Sequence, residues 1–238
     1  IGRCAHDILV FFVGDKERVK IFLVLFKIQK RLTEEFLNFF DYHQGHFDEK
    51  KDYESLAKSL GRIDGEWKVC SNKLFYLAVP PNLYQGILAH LSTSGLTIPC
   101  GGGKDGWTRV LIEKPFGRDV ETARKLDHHL SELFQEEQIF RIDHYLAKET
   151  LQNILTFRFS NSIFGNVWSN EYIESVEIKL FEKIGVESRG EFYDDTGALR
   201  DVGQNHLLQM LALVAMERPK NLSAEDVRAE REKVFEQL

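Results

Sequence analysis

The chain has 238 residues, of which 43% are hydrophobic and 29% are charged. This is the composition of an ordinary globular protein, and it excludes a disordered, collagenous or repeat-biased chain. The formal net charge of −6 argues against a nucleic acid or an anionic membrane surface as the main partner. A small anionic substrate is compatible with this charge, because a few local basic residues are enough to bind it.

The three cysteines, Cys4, Cys70 and Cys100, show neither a CxxC pair nor the Cys/His spacing of a zinc site. Their odd number predicts reduced cysteines, a cytoplasmic location and no bound metal. The early apolar runs, Ile8–Val13 and Ile21–Phe26, are too short to span a bilayer, and no signal-peptide cleavage pattern follows them. Because the chain begins without Met and ends inside a helical pattern, we expect it to be part of a longer protein.

From residue 73 onward, short apolar runs alternate with helical patterns. Leu74–Val79 and Thr108–Ile112 are stopped by proline and indicate buried strands, and Gln138–Ile142 indicates a third strand. The segment YQGILAHL predicts a helix between the first two strands. Asp119 is placed to cap another helix, whose apolar residues recur at helical spacing: Val120, Ala123, Leu126, Leu130 and Leu133. This order favours an incomplete doubly wound, Rossmann-like α/β fold with a parallel sheet.

The pattern changes after Asp143. The sequence there predicts a helix, a half-exposed strand, a Gly- and Asp-rich loop and an apolar helix, in this order: 144–157, 175–182, 184–197 and 202–216. These elements are typical of part of an α+β domain with a largely antiparallel sheet. We therefore predict two domains, residues 1–143 and 144–238. The first 38 residues show no clear period and remain unassigned.

The ends of the three predicted strands carry unusual residues, namely Val79-Pro80-Pro81, Glu113-Lys114-Pro115 and Asp143-His144-Tyr145. Ligands of open parallel sheets bind beyond the carboxyl ends of the strands, so this edge is the candidate site. No GxGxxG turn follows a strand, and the chain has no Walker, HExxH or GxSxG motif.

The segment DHYLAKE begins at Asp143. If Asp143 is a helix N-cap, His144 and Lys148 lie at i and i+4 on one face, with Tyr145 beside them. An imidazole, a phenol and an ammonium at a helix N-terminus would suit a phosphate group. The alternative is an ordinary aspartate cap followed by a solvated helix, and this segment alone favours that alternative slightly.

Two further residues are candidates for chemistry. Lys114, at a strand end, could hydrogen-bond a reacting hydroxyl, or it could form only an exposed ion pair with Glu113. In RDVGQNHLLQ, Asp201 and Gln204 resemble a capping box, and His206 lies near the polar start of an apolar helix. A histidine held by a carboxylate is a natural general base, although a lone histidine beside an apolar helix is more often a core residue.

Three motifs, LIEKPFGRD, RIDHYLAKE and RDVGQNHLLQ, resemble the glucose-6-phosphate dehydrogenase family in their order and spacing. The resemblance runs from about Phe39 to Pro219. Its most specific part is the second motif, the family's signature, in which Ala147 stands where the family usually has Gly. Residues 1–38 match neither the family's glycine-rich fingerprint nor its arginine for the 2′-phosphate, and the family continues well beyond Leu238.

The resemblance implies an oxidoreductase of the pentose phosphate pathway that oxidises carbon 1 of glucose 6-phosphate to 6-phosphogluconolactone and passes hydride to NADP⁺. The catalytic residues would be His206 as the base, Asp143 orienting it, and Lys114 near carbon 1. The remaining contacts would be His144, Tyr145 and Lys148 for the phosphate, Glu182 and Asp201 for the sugar hydroxyls, and Val79, Pro80, Pro81 and Lys114 for the cofactor. It also implies a homo-oligomer, a dimer or a tetramer.

The sequence is also compatible with two functions other than an oxidoreductase. The chain could be a non-catalytic phosphosugar-binding remnant, since the phosphate residues are present while the dinucleotide fingerprint is not found. It could also be a structural or interaction fragment without a ligand. Because residues 1–38 offer no recognisable pyrophosphate-binding turn, we further expect the chain to bind NADP⁺ weakly.

Overall fold

The computed structural model describes residues 7–13 and 41–238, except 182, 184, 188 and 189. The chain divides into two compact units, Ile1–Ile142 and Asp143–Leu238. Among the described residues, no helix has the length and apolar character needed to cross a membrane.

The first unit contains a four-stranded sheet in the order β1-β2-β3-β4, formed by Asp7–Val13, Asn72–Ala78, Thr108–Ile112 and Ile139–Arg141. All three pairings are parallel. The three predicted strands and the α/β fold class are therefore confirmed. β1 is the strand that the sequence left unassigned, because the continuous apolar run in DILVFFV has no period that distinguishes a strand from a helix.

In the described part of the first unit, the sheet is accompanied by three α-helices: α1 (Lys50–Trp67), α2 (Tyr84–Thr93) and α3 (Val120–Leu133). Alternate residues of β2 and β3 are fully buried on one face, where Phe75 lies opposite Val110 and Leu77 opposite Ile112. The core cluster includes these strand residues and the buried side of α2: Tyr84, Ile87, Leu88 and Leu91. Short 3-10 helices cover Pro81–Leu83, Cys100–Gly103 and Glu136–Gln138.

The start of α3 follows the prediction. Asp119 Oδ1 accepts a hydrogen bond from Thr122 N at 2.8 Å, and Thr122 Oγ1 accepts one from Asp119 N at 3.1 Å. Val120 does not belong to the buried face, because it is 65% exposed and the helix reaches the core only from Leu126 onward. The preceding Gly117 has φ +132°, and a Cβ there would lie 2.5 Å from Ala123 N, so this turn requires glycine.

The cysteines depart from the prediction, because Cys70 and Cys100 form a disulfide with their Cα atoms 5.7 Å apart. Cys70 precedes β2 and Cys100 precedes β3, and the parallel pairing of these strands brings together residues 30 positions apart. Spacing along the sequence carries no signal for such a pair. The expectation of reduced cysteines is wrong here, and the argument from them to a cytoplasmic location is lost.

The regular secondary structure in the described part of the second unit is helical. Its helices are α4 (Glu149–Phe159), α5 (Ser162–Gly165), α6 (Gly190–Ala198), α7 (Leu208–Ala215) and α8 (Ala224–Phe235), together with a 3-10 turn (His144–Ala147) and a π-helix (Leu199–Leu207). Its core is formed by Leu151, Phe159, Leu213 and Met216.

Two predicted elements of this unit are absent from the described residues. The alternating segment 175–181 pairs with no strand, and Val176 and Phe181 are 50% and 86% exposed. A strand needs a neighbour, and no described residue of this unit forms one, so the predicted antiparallel sheet is not formed there. The loop predicted over 184–197 from its Gly and Asp content is helical in its second half, where residues 190–197 belong to α6.

Arg158 fixes the end of α7 from α4. It is only 6% exposed, and its Nη1 and Nη2 atoms donate to the carbonyl oxygens of Leu213 and Met216, both at 2.8 Å. These carbonyls belong to the last turn of the helix and its C-terminal flank, where helix carbonyls lack intrahelical partners. Burial lowers the pKa of Arg158 below its usual value.

Candidate active site

The second unit contains a hydrogen bond between two buried side chains, His206 and Asp143. His206 Nδ1 lies 2.7 Å from Asp143 Oδ1, and the two side chains are 2% and 6% exposed. An ionised carboxylate can only accept, so Nδ1 is the donor and Nε2 is the acceptor nitrogen of the neutral ring. This is the arrangement of a general base whose tautomer is fixed by a carboxylate.

The segment after Asp143 differs from the predicted continuous helix. Asp143 Oδ1 also accepts from Tyr145 N at 3.0 Å and so caps the 3-10 turn. The chain then extends at Lys148 (φ −70°, ψ 129°), whose carbonyl accepts from Leu151 N at 2.9 Å as α4 begins. His144 and Lys148 therefore do not occupy i and i+4 of one helix, because the capped turn ends before Lys148.

The broken helix nevertheless places these side chains in one stack. The ring of Tyr145 lies 3.9 Å from the ring of His206 at 18°, and Lys148 Nζ lies 3.5 Å from the centre of the Tyr145 ring. His144 approaches both rings edge-on at 4.9 Å. An ammonium over an aromatic face is an attractive contact. Since His144 and Lys148 are exposed, their polar ends can reach a soluble anion.

The π-helix sets the placement of His206 relative to Asp201. Both residues are buried, with 2% and 7% exposure, although they are five positions apart. In an α-helix they would differ by about 140° around the axis, whereas i→i+5 winding stacks them on one side. Asp201 thus lies inside the helix, and the predicted capping box with Gln204 is wrong, since Ala198 is the flanking residue.

Two residues that the sequence did not single out also lie at this site. Arg231 of α8 donates from Nη2 to the side-chain oxygen of Gln209, which is three residues after His206. Arg231 stands between Val227 and Val234, the two valines with which α8 packs on the core. A charged residue at that helical spacing is the signal that could have drawn attention to it.

Asp143, His144 and His206 each offer one possible metal-ligand atom, all within 4.8 Å of one another. The spacing alone is compatible with a divalent cation. However, the contact between Asp143 and His206 has the length of a hydrogen bond, and the Lys148 ammonium is part of the same stack. The charges and the hydrogen bond favour a catalytic dyad facing an anion over a metal site.

The candidate cofactor residues belong to the first unit. Val79 is buried after β2, Pro80 and Pro81 are exposed, and Lys114 is half-buried after β3. Because β2 and β3 are parallel neighbours, these residues leave the sheet at the same edge, where dinucleotides bind in open sheets. This topology and a strand-end lysine fit a nicotinamide dinucleotide. Residues 14–40 lie outside the described residues, as does the candidate substrate residue Glu182.

Two tyrosines hold the strand end that carries Lys114. The Tyr76 hydroxyl donates to Glu113 Oε1, and the Tyr84 hydroxyl donates to the Glu113 carbonyl oxygen at 3.0 Å. The pKa of Tyr76 is raised to about 12, first by burial and then by the hydrogen bond to Glu113 and the negative charge of Glu113. Burial is also the main cause of a raised pKa for Tyr84.

Two family models match the chain. The model for the glucose-6-phosphate dehydrogenase NAD binding domain matches residues 15–153, and the model for the C-terminal domain of the same family matches residues 155–238. This match is wider than the resemblance from Phe39 to Pro219 inferred from the motifs.

Curated relatives and solved structures agree with these models. Glucose-6-phosphate 1-dehydrogenases of Chlamydia muridarum and Borreliella burgdorferi are 42% and 45% identical over 83% and 87% of the chain, which covers 39% and 41% of their lengths. A structure of glucose-6-phosphate dehydrogenase in complex with its substrate glucose-6-phosphate has a TM-score of 0.79 at 40% identity, covering 87% of this chain and 42% of that one. The enzyme from Mycobacterium avium gives a TM-score of 0.74 at 35% identity, covering 88% and 43%. The chain thus spans less than half the length of these relatives.

Proposed function

Because this chain belongs to the glucose-6-phosphate dehydrogenase family, we propose that it carries the residues that oxidise glucose 6-phosphate at carbon 1 to 6-phosphogluconolactone, with NADP⁺ as the hydride acceptor. The observation that carries the proposal is the buried hydrogen bond of 2.7 Å between His206 and Asp143, with Tyr145 and Lys148 stacked beside it.

His206 is the general base of the proposed reaction. Its Nε2 atom takes the proton of the 1-hydroxyl, while Nδ1–H remains bonded to Asp143. The carboxylate stabilises the imidazolium as it forms, and the buried setting strengthens this interaction. The electrons of the broken C1–H bond leave as hydride, so carbon 1 becomes the carbonyl carbon of the lactone.

Lys148, His144 and Tyr145 bind the substrate phosphate in this proposal. The ammonium and the imidazole are exposed, and a phosphate dianion forms short, charge-assisted hydrogen bonds with such groups. We assign Asp201 and Glu182 to the sugar hydroxyls from the family motif. Lys114 is assigned to the reacting end of the sugar and stabilises negative charge on its oxygen.

The nicotinamide dinucleotide supplies the hydride acceptor when it is bound. We propose that Val79, Pro80, Pro81 and Lys114 contact it at the carboxyl edge of the sheet. Preference for NADP⁺ over NAD⁺, assembly into a homo-oligomer and a cytoplasmic location remain predictions. The chloroplastic relatives in Arabidopsis thaliana are a reason to test the location directly.

The test is NADPH formation by the chain with glucose 6-phosphate and NADP⁺, followed by absorbance. His206→Asn should lower kcat by about 10²–10⁴-fold while KM for glucose 6-phosphate stays within about threefold, because only the transition state loses its base. His128→Asn, at an exposed position of α3, is the matched control. Absence of turnover in the parent chain, or a His206→Asn kcat within about threefold of it, contradicts the proposal.

A further inference from the structure

The buried carboxylate of Asp143 uses only one of its two oxygens. Oδ1 accepts from His206 Nδ1 and from Tyr145 N, while Oδ2 has no hydrogen-bond partner among the described residues. A buried carboxylate oxygen normally accepts a hydrogen bond from a donor group or an ordered water. We therefore expect a hydrogen-bond donor near this atom.

Arg231 has a buried donor without a partner among the described residues, which complements the unpaired oxygen of Asp143. Its Nη2 atom is bonded to Gln209, but its Nε–H is buried and also has no partner in the described part of the chain. Burial is the first cause that lowers the pKa of Arg231, Arg228 is the second, and Asp143 acts in the opposite direction. The negative charge of Asp143 therefore favours the charged guanidinium, in the same sense as the two unpaired buried atoms.

The placement of Arg231 on α8 supports the same conclusion. Val227, Arg231 and Val234 follow the i, i+4, i+7 spacing of one helix face, and both valines pack on the core of this unit. A guanidinium on the apolar face of a helix is retained only where a buried acceptor or charge compensates it. Gln209, at i+3 from His206, holds the guanidinium beside the helix that carries the base.

We propose that Arg231 is a positioning residue for the Asp143–His206 pair, holding the second oxygen of Asp143 through one bridging water. Arg231 keeps the carboxylate oriented so that Oδ1 stays on His206 Nδ1, and it does not touch the substrate. This inference rests on the proposed function for its effect on turnover, but its structural part concerns the hydrogen bond alone.

The direct readout is the proton resonance of His206 Nδ1–H in the whole chain, assigned by its absence from His206→Asn. A buried N–H bonded to a carboxylate gives a downfield signal that is protected from solvent exchange. In Arg231→Met we expect this signal to be lost or to exchange at least about tenfold faster, whereas Arg231→Lys keeps it. Lys233→Met, which removes an exposed charge from the same helix, should leave it unchanged.

Turnover gives the second readout. Arg231→Met should lower kcat by about tenfold with KM for glucose 6-phosphate within about threefold, and Arg231→Lys should restore most of it. If Arg231→Met does not fold, Arg231→Gln serves as the neutral variant with the same expectations. A signal unchanged in the neutral variant, or lost equally in the neutral and lysine variants, overturns the inference. Because the resonance needs no activity, a parent chain without turnover contradicts only the proposed function.

Discussion

Replacing Lys148 with alanine separates phosphate recognition from stability. The side chain is exposed, and the contact that it makes with Tyr145 is a cation–π contact of 3.5 Å, which contributes about 0.5–1 kcal/mol at an exposed site. The backbone bonds of residue 148, from its N–H to Tyr145 O at 3.0 Å and from Leu151 N to its carbonyl at 2.9 Å, do not depend on the side chain. The free energy of unfolding should therefore change little.

The loss of ligand affinity should be much larger. A hydrogen bond with a charged group contributes about 1.5–3 kcal/mol. Since about 1.4 kcal/mol corresponds to a factor of ten, Lys148→Ala should weaken glucose 6-phosphate binding roughly 10- to 150-fold. Glucose lacks the phosphate, and its affinity should remain within about twofold.

Titration calorimetry with the two sugars measures this difference on the parent and the variant. Lys179→Ala is the matched control, because Lys179 is also exposed and is paired with Glu177 at 2.9 Å. Equal losses for glucose and glucose 6-phosphate would mean that Lys148 acts on the structure of the turn. An unchanged affinity for glucose 6-phosphate would remove Lys148 from the phosphate site.

Three other experiments address the fold and the cofactor. Arg158→Leu leaves the carbonyls of Leu213 and Met216 without their donor and should cost about 2–4 kcal/mol in urea unfolding, with Arg158→Lys as the milder comparison. Tyr76 ionises near pH 12 in the folded chain and near 10 when unfolded, so its contribution is present below pH 10 and lost towards pH 12. Tyr76→Phe should thus be less stable at neutral pH, yet lose stability less steeply between pH 10 and 12; parallel curves would refute this. Calorimetry with NADP⁺ should show weak binding, and low-micromolar affinity would show that residues 1–38 contain a cofactor-binding turn.

The sequence predicted the elements whose signals are local. Short apolar runs ended by proline identified β2 and β3, and an aspartate followed by apolar residues at helical spacing identified the start of α3. These signals depend on residues within one element or its cap, so neighbouring parts of the chain do not alter them.

The features that the sequence missed depend on distant partners. The pairing of Cys70 with Cys100 follows from the pairing of β2 with β3, which sequence spacing does not encode. The alternation over 175–181 is a strand pattern, but a strand forms only where another strand offers hydrogen bonds. At the site, the family resemblance grouped Asp143 with His206, whereas the residues alone placed His206 only near Asp201. The break before Lys148 depends on a side-chain cap that competes with the helix.

The wide winding of residues Leu199–Leu207 changes how a difference in the length of this segment is to be interpreted. Removal of one residue between Asp201 and His206 would leave them four positions apart, and regular α-helical winding places such residues only about 40° apart around the axis. A deletion that restores α-helical winding would therefore keep the histidine and the aspartate on one side of the helix. An alignment that opens a one-residue gap between these two positions would still pair the correct histidine with the base.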